Sequence, residues 1–279
     1  MTTTFISSDN LEEFTEQLDP SLNAGLTLQD VEYADGTWVG TFRDDGSNST
    51  WAYDPDLKGL ESRINATLEQ GYELTDIEYG DGVWFATFDE GFGEDSTYYY
   101  NSDVEAYEAT IQEWSDQGQG IYRGDDLLDV EYGAGVWFAV FGDELDSSTY
   151  ISSPDVDSLS ADIDSIQEQD YDIVDVEYTN GSWTSVFYEA IAIDTTHTIS
   201  TTQEEFEQDL TAKLDRGYDV VDLEYGDGVW VTVFDGTLGS TDTNSDSTDS
   251  NSNIATDMVI DNMILENSHY AFDPDHWMI

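Results

Sequence analysis

Five pairs of carboxylates recur along the chain in the pattern Asp-x-Glu-Tyr, each just before a Gly-containing turn. Two strand residues that are separated by one position share a face, so each pair directs two carboxylates to the same side. Clustered carboxylate oxygens are the ligands that Ca²⁺ and Mg²⁺ prefer. We therefore predict divalent-cation binding, with Ca²⁺ as the favoured cofactor, by ten residues: Asp30, Glu32, Asp76, Glu78, Asp129, Glu131, Asp175, Glu177, Asp222 and Glu224.

The same pairs have a purely structural interpretation. In that case each Asp accepts hydrogen bonds from turn amides, each Glu faces water, and the repetition reflects folding and solubility alone. The sequence leaves both interpretations open.

Aromatic side chains in the first strands of the second and third repeats are a second candidate site. They are Trp51, Tyr53, Tyr98, Tyr99 and Tyr100. Three consecutive Tyr residues in a strand must point at least one ring outward, where it could stack on a sugar. A carbohydrate-binding role is thus an alternative function, and packing in the core is the competing interpretation of these rings.

No arrangement of residues predicts catalysis. The three histidines, His197, His269 and His276, belong to no recognisable motif with a nucleophile or an acid. The 63 acidic residues would produce carboxylate pairs by chance, so a glycosidase-like pair cannot be argued. We predict a non-enzymatic protein with no catalytic residues.

The charge of the chain restricts its partners. With 63 acidic and 6 basic residues the formal net charge is −57. Such a surface repels nucleic acid and anionic lipid, because binding them requires cations that neutralise phosphate. The self-repulsion must be relieved by high salt or by bound divalent cations, which indicates either a salt-accumulating cytoplasm or calcium-bearing extracellular fluid.

The absence of cysteine excludes disulfides and thiolate metal sites. The start of the chain has no classical signal peptide, and no apolar run approaches the length of a membrane span. We expect an extracellular protein exported without a leader. The alternative is a cytoplasmic, salt-adapted interaction protein of a halophile.

A repeat of about 47 residues organises the chain. Five Trp residues are 46, 53, 46 and 47 positions apart, and each precedes a Phe by four positions: Trp38, Trp84, Trp137, Trp183 and Trp230. Such a period indicates a repeat protein. The units are predicted at about 1–43, 44–89, 90–142, 143–188 and 189–235, followed by an acidic Ser/Thr/Asp/Asn linker at 236–253 and a C-terminal tail at 254–279.

Each unit reads as strand, helix, strand, strand, which gives an α/β (α+β) repeat protein. In unit two, Leu57, Leu60, Ile64 and Leu68 have helical spacing, and Gly80-Asp81-Gly82 predicts a hairpin turn. Neither terminal unit resembles a polar cap. We therefore expect a closed, propeller-like ring with pseudo-five-fold symmetry, and an open stacked array is the alternative.

The helix–Gly-Tyr–turn–Trp rhythm is similar to a known repeat. Gly71-Tyr72 and Gly217-Tyr218 each follow a helix and precede the Trp hairpin. In this respect all five units resemble the repeat region found after plant casein-kinase-like kinase domains and in bacterial proteins of unknown role. The resemblance implies a fold and no activity, and the acidity of this chain departs from it.

Together these features predict a highly acidic, non-enzymatic scaffold or binding protein that associates with divalent cations. Its expected partners are other protein subunits or an extracellular polymer, with self-association through the apolar tail as a hypothesis.

Overall fold

The computed structural model describes residues 4–44, 46–90, 96–116, 126–142, 148–179, 181–189 and 195–236. The predicted tail and nearly all of the predicted linker lie outside these ranges. The five repeats belong to one compact body.

Every unit contains one helix and a three-stranded antiparallel sheet, as the repeat predicts. Unit one comprises β1 (Thr4–Ser8), α1 (Leu11–Asn23), β2 (Thr27–Ala34) and β3 (Thr37–Arg43). Unit two comprises β4 (Asn48–Asp54), α2 (Leu57–Leu68), β5 (Glu73–Gly80) and β6 (Val83–Glu90). Unit three comprises β7 (Thr97–Asn101), α3 (Val104–Asp116), β8 (Asp126–Gly133) and β9 (Val136–Gly142). Unit four comprises β10 (Ser148–Ser153), α4 (Val156–Gln167), β11 (Tyr171–Thr179) and β12 (Ser182–Glu189). Unit five comprises β13 (Thr195–Ser200), α5 (Gln203–Leu214), β14 (Asp219–Gly226) and β15 (Val229–Asp235).

The third strand of each unit is the central strand of its sheet, because it pairs with both the first and the second. It is buried on both faces. On one face, Gly40 of β3 lies under the ring of Phe14 from α1, and a Cβ at Gly40 would meet that ring at 3.0 Å. On the other face, Phe85 of β6 packs into the hydrophobic core of unit one. The helix of a unit and the sheet of the next unit thus enclose one core between them.

The hairpin turn predicted at Gly80-Asp81-Gly82 is confirmed, and residues with left-handed backbone also follow several of the helices. Asp81 and Gly82 have φ values of 48° and 76°, which is the pair of left-handed residues that a tight hairpin requires. Gly71 ends α2 with a φ of 87°. In unit three Ala134 takes the left-handed turn position (φ 50°), and Asp170 takes the place of the helix-ending glycine in unit four (φ 64°).

The second strands of successive units contact one another. β2 contacts β5, β5 contacts β8, β8 contacts β11, β11 contacts β14, and β14 contacts β2. The last unit is therefore in contact with the first. Among the described residues no helix is sufficiently long and apolar to span a membrane.

Candidate functional site: the carboxylate cluster

The ten predicted carboxylates lie on the five second strands, each just after a break in strand register. The register shifts between Leu28 and Asp30 of β2 and at the same point of every other unit. Such a bulge places one extra residue in the strand and re-aims the side chain that follows. After this bulge, three of the Asp and three of the Glu side chains reach the backbone of a neighbouring second strand.

Three of the Asp side chains accept a hydrogen bond from the backbone of the preceding unit. Ile77 donates to Oδ2 of Asp129 over 2.8 Å. The equivalent bonds elsewhere run from Val31 to Oδ2 of Asp76 (3.3 Å) and from Val176 to Oδ2 of Asp222 (2.9 Å). These carboxylates therefore join units together.

The Glu side chains make the same kind of link two residues further along. The backbone nitrogen of Tyr33 donates to Oε1 of Glu78 (3.2 Å), and that of Tyr178 donates to Oε1 of Glu224 (3.1 Å). Tyr225 of unit five donates to Oε1 of Glu32 in unit one over 3.2 Å. Under the purely structural interpretation of the pairs, each Glu was expected to face water. That expectation is wrong, because the Glu side chains are buried: Glu32 is 4% exposed and Glu78 is 6% exposed.

A close contact between a tyrosine and a glycine accompanies each of the three Asp bonds. The residue that ends the second strand is Gly80, Gly133 or Gly226 in those cases, and it lies against the Tyr of the preceding unit. A Cβ at Gly133 would come within 2.1 Å of Cγ of Tyr79. Only glycine admits this approach.

The two remaining boundaries carry Ala34 and Thr179 at that position. There, Oδ2 of Asp30 and Oδ2 of Asp175 are buried and have no hydrogen-bond partner among the described residues. The added side chain at the strand end thus coincides with loss of the Asp bond, while the Glu bond of Glu32 persists.

The electrostatics of the cluster follow from its burial. Burial is the largest cause that raises the pKa of all ten carboxyls, and the charges of other carboxyls in the group raise each of them further. The pKa values of Glu78, Asp129 and Asp222 are raised to about 8. For Asp30, burial is followed by the charges of Asp76 and Asp222, from units two and five. The five pairs therefore form one interacting group.

In the described part of the chain, no basic side chain neutralises this group from within. Five of the 6 Lys and Arg residues fall in the described ranges, and none of the five is buried: Arg43, Lys58, Arg63, Lys213 and Arg216. The cluster can hold protons on its carboxyls or attract cations; it is unsuited to anions.

Comparison with known proteins adds no name to this site. No family model matches the chain, and no match is found among curated proteins.

The aromatic candidates lie on the first strands, away from the carboxylates, and stack on neighbouring rings. Trp51 and Tyr53 stack on Phe85 at centroid distances of 5.7 and 6.3 Å. Tyr98 and Tyr100 stack in the same way on Phe138, at centroid distances of 5.4 and 5.7 Å.

Tyr99 points to the other face and stacks on Tyr107 of α3 at 6.2 Å. These five rings therefore do not converge on one site. Tyr53 is the most exposed of them, at 36%.

Sequence reasoning missed a cavity between units three and four. It has a volume of about 200 Å³ and is lined by residues of α3 and of the strands around it. One signal was available: Thr184 follows the Trp of its unit, whereas Phe85 and Phe138 hold that position in units two and three.

Proposed function

We propose that this protein is a non-enzymatic scaffold whose five units close into a propeller-like ring around a cation-associated cluster of carboxylates. One observation carries the proposal: ten carboxyls from all five units are grouped together and raise one another's pKa, with no buried basic side chain in the described ranges. A group of this kind needs protons or cations for neutralisation.

The contacts between units support closure. The hydrogen bond from Tyr225 to Glu32 joins unit five to unit one with the same geometry that joins unit one to unit two through Tyr33 and Glu78. An open array would leave the first and the last second strand without this partner. Closure makes every carboxylate pair a link between neighbours.

The unpartnered oxygens of Asp30 and Asp175 support cation binding. A buried carboxylate oxygen without a donor is costly, and a hard divalent cation is a partner of suitable chemistry. Among the described residues, no group of three or more His, Asp or Glu side chains is arranged to hold a metal ion. The cation that we propose therefore retains part of its own water shell and is held partly through water, as Mg²⁺ and Ca²⁺ often are.

Thermal unfolding of the full chain tests this function. We expect millimolar Ca²⁺ to raise the melting temperature at neutral pH well above the value in EDTA with NaCl of equal ionic strength. If molar KCl stabilises the protein and Ca²⁺ adds nothing beyond ionic strength, the acidity serves salt adaptation and the cation proposal fails.

A pair of double variants locates the effect. Asp30→Asn with Asp175→Asn removes the two unpartnered carboxylates, and we expect it to abolish most of the Ca²⁺-dependent rise. Asp19→Asn with Asp44→Asn makes the same substitution at two exposed positions and should leave the rise intact. Equal loss in both variants would mean that Ca²⁺ acts on the surface charge as a whole.

Self-association and an extracellular partner remain part of the proposed scaffold role. The tail expected to mediate self-association, 254–279, lies outside the described residues. Sedimentation of the full chain with Ca²⁺ and with EDTA measures whether assembly follows cation binding.

A further inference from the structure

The boundary between units three and four differs from the others in the residues that fill it. At the boundary of units one and two, Phe85 packs on Trp38 with a centroid distance of 5.8 Å, and Tyr53 stacks on Phe85. At the next boundary, Phe138 packs on Trp84 at 6.1 Å, and Tyr100 stacks on Phe138. In both cases a Phe ring packs on the Trp of the preceding unit, and a Tyr ring stacks on that Phe.

Two hydroxyl residues replace those rings at the boundary of units three and four. Register places Ser152 opposite Thr184, as it places Tyr53 opposite Phe85 and Tyr100 opposite Phe138. The other two boundaries keep an aliphatic residue at the third-strand position, Val39 and Val231. Only here are both members of the pair small and polar.

The missing rings leave the cavity of about 200 Å³. Trp137, the Trp of unit three, lines it and is half-buried, whereas Trp38 and Trp84 are each 1% exposed. Val104 lies in the wall and is 41% exposed, which makes it one of the most exposed large apolar residues of the described chain. The cavity therefore opens toward solvent beside α3.

The walls of this cavity have two different characters. Tyr107, Trp137 and Tyr150 contribute aromatic rings, and Tyr107 and Trp137 stack at 5.4 Å with an interplanar angle of 27°. Ser152, Ser182 and Thr184 contribute hydroxyls on the side of unit four. The hydroxyl of Tyr107 donates to the backbone oxygen of Phe138 over 3.0 Å, which fixes that ring in place.

One polar group in the wall is left without a partner. Thr179 lines the cavity, is 4% exposed, and its Oγ1 has no hydrogen bond to any described residue. A buried hydroxyl in this state favours a ligand that can bond to it.

The charge around the cavity selects among ligands. The described residues that line it include no Asp, Glu, Lys, Arg or His. The carboxyls of Asp129, Asp175 and Glu177 lie near enough to Tyr107 to raise its pKa, after burial as the larger cause. Anionic ligands are therefore disfavoured.

We propose that this cavity binds a neutral six-membered sugar ring, a hexopyranose unit of a saccharide. Such a ring has about the size of one of the two aromatic rings that are missing here. It has an apolar face for the Tyr and Trp rings, and hydroxyls for Ser152, Thr179 and Thr184. The described lining of this site includes none of the ten carboxylates and none of the five rings that the sequence singled out.

Saturation-transfer NMR on the full chain in EDTA tests the proposal independently of cation binding. The probes are the methyl glycosides of glucose, galactose, mannose and N-acetylglucosamine at millimolar concentration. We expect at least one of them to bind and to show saturation transfer from the protein to the protons on its apolar ring face. Failure of all four, or binding of tetramethylammonium in their place, would overturn the proposal.

Three variants assign the binding to the cavity. Thr184→Phe introduces the residue of units two and three, and we expect it to abolish binding while the melting temperature is kept or raised. Thr179→Val removes the unpartnered hydroxyl at nearly constant shape and should weaken binding about tenfold, as loss of one buried polar contact does.

Thr41→Val is the matched control, because Thr41 also has a buried Oγ1 without a hydrogen bond among the described residues but lies outside the cavity lining. It should leave the affinity unchanged. If Thr184→Phe does not fold, Thr179→Val against Thr41→Val decides: equal affinity in the two variants overturns the assignment.

Discussion

The backbone N–H of Ile77 donates a hydrogen bond of 2.8 Å to Oδ2 of Asp129, although the two residues belong to different repeats. Asp129 is 7% exposed, and burial raises its pKa to about 8. Its carboxyl therefore combines two roles that can be separated by mutation: it accepts a bond that joins two units, and it contributes charge to a crowded group.

Asp129→Asn separates these roles, because an amide oxygen can still accept from Ile77 but carries no charge. In EDTA at pH 8 we expect Asp129→Asn to be as stable as the wild type or more stable. Asp129→Ala, which leaves a buried N–H unpaired, should lose about 1–3 kcal/mol in the free energy of unfolding. Denaturant unfolding measures both, and an equal loss in the two variants would show that the charge itself is needed.

The pH dependence of stability follows from the raised pKa values of Glu78, Asp129 and Asp222. A carboxyl whose pKa is about 4 in the unfolded chain and about 8 in the folded protein binds a proton on folding between those values. In EDTA, the free energy of unfolding should therefore fall as the pH rises from 5 to 8, by up to about 1.4 kcal/mol per pH unit for each proton taken up.

Melting temperatures at constant ionic strength across this range test the sign. The triple variant Glu78→Gln, Asp129→Asn, Asp222→Asn should show a shallower slope, because three of the titrating carboxyls are gone. A wild-type optimum at pH 8 in EDTA is incompatible with a protonated cluster.

The contact between Tyr79 and Gly133 leaves no room for a side chain at position 133. A Cβ on Gly133 would lie 2.1 Å from Cγ and 2.3 Å from Cβ of Tyr79, so the ring must move. We expect Gly133→Ala to destabilise the protein by about 1–3 kcal/mol and to weaken the bond between Ile77 and Asp129.

Gly142→Ala in the same unit is the control. Its Cβ would meet the flexible end of Leu128 at 3.0 Å or more, so its cost should be clearly smaller. Chemical denaturation compares the two, and hydrogen exchange at the Ile77 amide reports the bond. Similar costs would mean that the Tyr79 ring yields easily.

The left-handed backbone of Asp170 leads us to expect that glycine at this position would stabilise the protein. It has a φ of 64° where Gly25, Gly71 and Gly217 end the helices of units one, two and five with φ of 85° to 87°. Asp170→Gly removes the steric cost of the left-handed conformation, and we expect a gain of about 1 kcal/mol.

Asp170→Ser removes the same charge without relieving the backbone and should gain less. The reverse substitution Gly217→Asp should destabilise unit five. Thermal unfolding of the three variants separates backbone relief from charge relief, and equal gains for Gly and Ser at position 170 would assign the effect to charge.

Local structure was predictable because it depends on neighbours in the chain. The helical spacing of Leu57 to Leu68 and the Asp81-Gly82 turn each specify their own element, and the structure confirms α2 and the hairpin within a residue or two. The Asp and Glu of each pair share a face for the same reason, since alternation along a strand is a local property.

The sequence by itself thus determined five units, the elements of each unit, and which residues could form a carboxylate group. Only the tertiary structure decided that this group is buried, because burial depends on which second strand lies beside which. It also decided that Asp129 reaches Ile77 whereas Oδ2 of Asp175 has no partner among the described residues, a difference that coincides with Gly133 at one strand end and Thr179 at the other. The cavity beside Trp137 has the same origin: Thr184 is unremarkable within its own strand and leaves a space only because another unit presents a tryptophan to it.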